Sequence, residues 1–494
     1  MSLTFTFPPE LEGKIFVNNR FITPAANATS TVYNGKDNSI VTDKHVICGQ
    51  EDVDRTVQVA QKALRGPWRR FTGLERAKCL YRFSDLLEKH AEEAAYYESI
   101  CSGRIMDQLK VEVPWIADVV RYYAGWCDKL EGEYLPDDDG FAKIVRHEPI
   151  GVCAGITAWN GPLMVLVMKA VPALAVGNVF ILKPPEKSPL SSLFAATLLQ
   201  QSGLPDGVFN IVTGDGSTGH LISSHLKIDK VSFTGSISIG RKIAAAANAS
   251  NMKRVTLELG GKSPAIIFPD ADLTTAIQWA AKGVTMNGGQ VCVAPSRVYV
   301  HESIADALIA GVKQEFERIA TTLGSDPQAY GSTFAPLIDA QQHDRVHSYI
   351  EQGKKEAKLV TGGWRYDKPG NFVPPTLFTD PDPNATIYKD EIFGPVLVIR
   401  RFKDEDEAIE LANDSSYGLA AYVFTNETKR VFRVTQQLQA GIIGVNSVNM
   451  LFANAPFGGY KSSGVGKELG KYALMDYVST KTIFIRTQDQ AKEL

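Results

Sequence analysis

Apolar and polar positions follow two periods along the chain. Residues 14–22, Lys-Ile-Phe-Val-Asn-Asn-Arg-Phe-Ile, alternate around Asn18-Asn19 and predict a short hairpin. Val53, Val57, Ala60 and Leu64 form a helical stripe, and so do Leu80, Phe83 and Leu87, with a break at Pro67-Trp68. A long amphipathic region then runs to about Leu130. Residues 131–142 are acidic and rich in turn formers, which marks a crossing or boundary segment. From 143 to 267 the rhythm is strand–helix–strand. Candidate strands are 151–156, 178–182, 208–212, 230–233 and 253–257, with helical patterns such as 162–176 and 188–202 between them. That alternation predicts a doubly wound parallel sheet with a nucleotide at its carboxyl edge. A second strand–helix series runs from 271 to about 445. The tail 478–486 is β-like and apolar, and is expected to add to another sheet, a partner subunit's included.

Composition narrows the class. A chain of 494 residues exceeds one ordinary core, so two or three domains are expected. A net charge of −3 gives no support for binding nucleic acid or an anionic membrane. No apolar run approaches a membrane span. Residues 1–10 lack the order of a secretory signal and the arginines of a transit peptide. The six cysteines, at 48, 79, 101, 127, 153 and 292, show no CxxC spacing and read as free thiols of a cytoplasmic protein. Residues 491–494 resemble an ER-retention tail, but no entry signal accompanies them.

One cysteine stands apart. Cys292 lies in Asn287-Gly288-Gly289-Gln290-Val291-Cys292, ahead of an expected strand at 297–300. Glu258 lies upstream in Leu257-Glu258-Leu259-Gly260-Gly261-Lys262. A lone cysteine is more often a buried structural residue. A thiol and a carboxylate, each beside a Gly-Gly pair that admits close approach, instead suggest covalent catalysis. Such a site should stabilise the thiolate. Two turns compete for a nucleotide's phosphates. Gly214 to Gly219 matches G-x-G-x-x-G, though at the third strand of its series. Thr234-Gly235-Ser236 ends a strand and opens a helical pattern. Lys183 and Glu186 close another strand, where the glutamate would accept from ribose hydroxyls and favour NAD. His343, His347 and Glu351 share a helix face, read as solvated rather than as a metal site, and no metal is expected.

Together these residues resemble the aldehyde dehydrogenase superfamily, non-acylating and NAD(P)-dependent. The resemblance runs over nearly the whole chain. Its markers, in order, are Ala158-Trp159-Asn160, Lys183-Pro184-Pro185-Glu186, Phe233-Thr234-Gly235-Ser236, the Glu258 and Cys292 motifs, Glu391-Ile392-Phe393-Gly394-Pro395 and Pro456-Phe457-Gly458-Gly459-Tyr460-Lys461. The resemblance implies Cys292 as nucleophile and Glu258 as general base. It implies Asn160 and the Cys292 amide as oxyanion donors, and Glu468 as a proton relay. Cofactor contacts are implied at Trp159, Lys183, Glu186, Gly235, Ser236, Glu391 and Phe393, with the loop around Gly216 near the adenine. NAD is the expected cofactor, with NADP left open.

The implied fold is α/β. A Rossmann-type parallel-sheet cofactor domain spans 1–130 and 150–257, and an α/β catalytic domain spans 258–477. A small β oligomerisation element spans 131–149 and 478–494, in a homodimer or homotetramer. The chain departs from the family at Thr285 and Met286, at Gly161 and at Met168, where aromatic rings are common. A substrate tunnel walled by Gly161, Val165, Met168, Met286, Leu451 and Phe452 would then suit bulky aromatic or medium-to-long aliphatic aldehydes. The aldehyde would pass through a cysteine hemithioacetal and thioester to the acid. The alternatives are a CoA-acylating dehydrogenase and a catalytically silent nucleotide-binding protein.

Overall fold

The computed structural model describes residues 5–487. The tail at 491–494 lies outside them.

The first strand–helix series forms the centre of an eight-stranded sheet. Five parallel strands run in the order Arg254–Glu258, Lys230–Thr234, Val152–Ile156, Val179–Lys183, Phe209–Ile211. Val152–Ile156 and Val179–Lys183 are buried at every position, as strands covered on both faces must be. The order reverses between Val152–Ile156 and Lys230–Thr234, so a crevice opens there at the strands' carboxyl ends. The expected hairpin, Ile15–Val17 and Arg20–Ile22, extends one edge of this sheet. Asn18 and Asn19 both take positive φ, as a two-residue turn of this kind requires. Gly464–Val465 pairs antiparallel with Arg254–Glu258 at the other edge, so a late segment returns to the first sheet.

The helical stripes fall in Gln50–Arg65 and Gly73–Lys89, the second opened by a capping box of Thr72 and Glu75. The long amphipathic region divides into Ala91–Ser102 and Met106–Ala124. The break is Gly103, left-handed at φ 72°. Helix Pro162–Ala175 is apolar almost all round and almost wholly buried.

The second series forms a seven-stranded sheet. One of its strands, Pro264–Ile267, escapes the sequence pattern, which begins the series only at 271. It is four residues long, opens on proline and follows a Gly-Gly pair. Proline is tolerated there because it is the strand's first residue. Six strands of this sheet run parallel, and Lys358–Thr361 closes one edge antiparallel.

The tail does not wait for a partner. Val478–Arg486 pairs along its whole length with Phe141–Pro149 of its own chain, and Glu133–Leu135 completes a three-stranded sheet. Tyr134, Leu135, Phe484 and Ile485 are exposed on it. Among the described residues, no helix is long and apolar enough to cross a membrane.

Candidate active site

The chain leaves helix Leu273–Thr285 through three successive left-handed residues, Asn287, Gly288 and Gly289, at φ 51°, 63° and 78°. Any side chain at Gly289 would also start 2.2 Å from the Gly394 backbone, so this turn demands glycine twice over. Gln290, fully buried, locks the turn. Its Nε2 donates to Asn287 O at 2.8 Å, and its Oε1 accepts from Ile338 N–H at 2.9 Å. Asn160 Nδ2 donates to Gln290 O at 3.0 Å, and Asn287 Nδ2 donates to Asn160 O at 3.3 Å. Asn160 is thus held against the cysteine loop, with the second hydrogen of its amide still available. Cys292 follows, the one half-buried cysteine among six free thiols. Burial pushes its thiol up to about 12, with the charges of Glu391 and then Glu258 adding to the shift. In the protein alone, burial and then these two carboxylates oppose the thiolate that the sequence leads one to expect.

Glu258 ends strand Arg254–Glu258 and is buried, and neither carboxylate oxygen has a hydrogen-bond partner. Its pKa is raised well above the carboxylate range, first by burial and then by the charge of Glu468. Gly458, at φ 153°, makes room: a Cβ there would sit 2.8 Å from Glu258 Oε1. Glu468 is held by reciprocal backbone bonds to Phe457 and ion-paired with Lys169, whose Nζ also donates to Ser232 Oγ at 2.9 Å. Sequence reasoning missed Lys169. The available signal was a single charge inside an otherwise apolar helix.

Glu391 approaches from the other side. Its Oε1 accepts from Gly261 N–H at 3.1 Å, and its Oε2 lies 2.0 Å from where a Cβ of Gly260 would stand. Burial raises this carboxyl to about 7. Phe393, two residues on, packs edge-to-face on Trp159 at 5.2 Å.

Trp159 also lines a cleft of about 490 Å³ at the switch point of the first sheet, with Lys183, Glu186, Gly216, Gly235 and Ser236. The two competing glycine turns therefore converge on one cavity. Each opens a helix whose first amides are capped from within. Asp215 accepts from Ser217 N–H at 2.8 Å, and Ser236 Oγ accepts from Ile239 N–H at 3.4 Å. Lys183 Nζ reaches Glu186 Oε2 at 3.1 Å and Pro184 O at 3.2 Å.

The expected tunnel residues are less alike. Val165 and Met168 are buried, Leu451 is half-buried and Phe452 is exposed. Met286 lines a groove of about 460 Å³, distinct from the cofactor cleft, with Asn287 of the cysteine loop, Gln108, Lys282 and Arg318. At Gly161 a Cβ would meet Met164 Cε at 3.4 Å and Arg104 Nη1 at 3.9 Å, two neighbours the sequence did not reveal. His343 and His347 are not on a solvated face. They pack against each other at 4.5 Å, and burial lowers His347 to about 4. No cluster of metal-ligating side chains occurs among the described residues.

A switch-point cleft lined by Trp159, whose chain neighbour Asn160 is bonded to the cysteine loop, is where an α/β sheet of this kind binds a dinucleotide. The chain matches the model of the Aldehyde dehydrogenase family over residues 21–483 and belongs to that family. It is 43% identical over 477 residues to an aldehyde dehydrogenase of Emericella nidulans, covering 96% of this chain and 95% of that one. It is also 43% identical to the cytosolic aldehyde dehydrogenase 1 of Mus musculus, over 95% and 94% of the two chains. Among solved structures, the NAD+ complex of an aldehyde dehydrogenase from Bacillus cereus superposes with a TM-score of 0.94 at 40% identity, covering 99% and 100% of the chains. Betaine aldehyde dehydrogenase from Staphylococcus aureus, also with NAD+, gives 0.93 at 34% identity over 97% and 96%.

Proposed function

We propose that the protein oxidises an aldehyde to its carboxylic acid with NAD, through Cys292. The carrying observation is the thiol itself, the one half-buried cysteine, set between Glu258 and Glu391 on a loop that also holds Asn160. The thiolate fraction of Cys292, its proton released to solvent, adds through Sγ to the aldehyde carbon, and the oxygen left with the charge is stabilised by Asn160 Nδ2 and the Cys292 amide. One such donor is typically worth roughly 3 kcal/mol. Bound NAD supplies the hydride acceptor that converts this adduct to a thioester. Glu258, unpartnered and raised in pKa, takes a proton from the water that releases the acid. Glu468 behind it, held by Lys169, is the carboxylate that would accept that proton next.

The cleft fits NAD. Two helix N-termini suit a pyrophosphate. Open space at Gly216 admits close approach, and Lys183 with Glu186 suits an adenosine ribose. Trp159, Gly235, Ser236 and Phe393 then border the cofactor, and Glu391 meets the nicotinamide ribose. Gly161, Val165, Met168, Met286, Leu451 and Phe452 border the aldehyde, which we take to be bulky and apolar. The exposed Tyr134, Leu135, Phe484 and Ile485 suit an interface between copies of the chain.

Cys292→Ala tests the reading. It should abolish reduction of NAD while leaving NAD binding intact, and substantial residual turnover would overturn it. Turnover is to be followed with NAD and NADP and a series of aldehydes from acetaldehyde to benzaldehyde.

A further inference from the structure

Tyr422 is buried on strand Ala420–Phe424, next to the edge strand of the second sheet. Its ring lies beside Gly444, its register partner on Ile442–Val445. A Cβ at Gly444 would come within 2.8 Å of Tyr422 Cδ1, so the bare glycine makes the place the ring occupies. The ring carries the hydroxyl out of the sheet to the cysteine loop. Tyr422 Oη lies 2.6 Å from Val293 O, the carbonyl next after Cys292, and donates to it. The same oxygen accepts from Asn449 N–H at 3.4 Å and lies 3.1 Å from Asn449 Oδ1.

Asn449 continues the chain of contacts. Its Nδ2 donates to Gly283 O at 3.1 Å, on the helix that leads into the cysteine loop. Neighbouring Val448 packs where a Cβ of Gly283 would be, at 2.9 Å, and Pro295 does so at 2.7 Å. Both ends of the cysteine loop, Gly283 before it and Val293 after it, are therefore tied to one Tyr–Asn pair. That pair also begins the segment carrying Leu451 and Phe452. Asn446 and Asn449 hold positive φ at 52° and 55° to make this possible.

We infer that Tyr422 is a positioning residue for the nucleophile and, through Asn449, couples the cysteine loop to the 449–452 segment, so that thiol geometry and aldehyde selection are set together. The inference rests on the reading of Cys292 as nucleophile. A tyrosine that merely fills the core predicts a loss of stability and nothing else.

Tyr422→Phe keeps the ring and removes the hydroxyl. Well below its melting temperature, this variant should show an NAD-reduction burst slowed about tenfold, equivalent to about 1.4 kcal/mol of barrier. Alkylation of Cys292 by iodoacetamide should slow in parallel, with KM for NAD unchanged. Burst and alkylation rates within about twofold of the parent would overturn the proposal, whatever happens to stability. If Tyr422→Phe does not fold, Asn449→Ala decides, since it keeps the Tyr422–Val293 bond and cuts the tie to Gly283. It should change the ratio of kcat/KM for benzaldehyde over acetaldehyde by about fivefold or more, and an unchanged ratio would overturn the coupling. Cys292→Ala is assayed alongside. An active Cys292→Ala defeats the nucleophile reading and this inference with it. An inactive Cys292→Ala beside a normal Tyr422→Phe defeats the positioning role alone.

Discussion

Glu258 and Glu391 both push the Cys292 thiol upward, yet the fold holds them in different ways. Glu258 is buried with no donor to either oxygen, and the charge of Glu468 raises it further. Glu391 is half-buried and tied to the Gly261 amide, with Arg345 and Lys262 near enough to moderate its rise. A carboxylate without donors is poorly stabilised as an anion and is therefore a stronger base. One with a fixed backbone donor keeps its direction and is suited to accept from a bound hydroxyl. The difference favours the proposed split, proton transfer at Glu258 and ligand holding at Glu391, although both are glutamates beside the same thiol.

The largest expected effect tests the Glu258 side. Glu258→Gln should lower steady-state kcat by roughly 10²–10⁴-fold, the usual weight of a general base. A rapid burst of reduced NAD should persist in stopped-flow traces, because acylation does not need the lost base. A missing burst would move Glu258 from deacylation to activation of the thiol, and the contrast with Glu391 would need redrawing.

The second effect uses pH. With the thiol near 12 in the protein alone, the thiolate fraction should rise about tenfold per pH unit. Alkylation of Cys292 without NAD should follow it, by roughly 10² between pH 7 and 9. Glu391 acts on the thiol more strongly than Glu258, so Glu391→Gln should alkylate faster at pH 9 than Glu258→Gln does. A flat profile would mean the thiol is already ionised.

The third effect belongs to Glu391 alone. Glu391→Gln should lower kcat with NAD by roughly tenfold, the scale of one hydrogen bond to a charged group, while keeping the proton-transfer step. It should also change stability in a fixed direction. The folded carboxyl titrates near 7, above its ordinary 4.5, so the fold favours the protonated form. That contribution is complete below about 4.5 and is lost as pH rises through 7. Melting curves of Glu391→Gln should therefore decline less than the parent's across this window, and equal declines would exclude Glu391 as the source.

Legibility in the sequence followed locality. The first sheet's strands and the Asn18-Asn19 hairpin were readable because each is marked by apolar runs and turn residues of its own. The convergence of Gly216 and Gly235 on one cleft was not, because it depends on strand order, which local pattern does not carry. Lys169 and Tyr422 were missed for a related reason. Each gains its partner only far along the chain, Lys169 with Glu468 299 residues on and Tyr422 with Val293 129 residues back. Pro264–Ile267 was missed because proline and glycine, read locally, argue against a strand.

The smallest effect should leave both carboxylates alone. Gly161 precedes helix Pro162–Ala175 and follows Asn160, and a side chain there would run first into Met164 Cε at 3.4 Å and then toward Arg104. Arg104 is fixed by Glu98 and Glu112 and cannot withdraw cheaply, whereas Met164 is unbranched and can. Gly161→Phe should therefore displace Met164 and fill space beside the reacting carbonyl. Bulky aldehydes would lose kcat/KM by about fivefold relative to acetaldehyde, somewhat more than one methylene's worth of contact at roughly 0.8 kcal/mol. The NAD burst and KM for NAD should stay as in the parent, since neither Glu258 nor Glu391 is touched. An equal loss on acetaldehyde and benzaldehyde would show that Gly161 serves the backbone at the helix start, where its φ −163° and ψ 59° set the chain's entry into Pro162. Loss of the burst would show that the change had reached the acylation step, through Asn160 and its bond to Gln290 O.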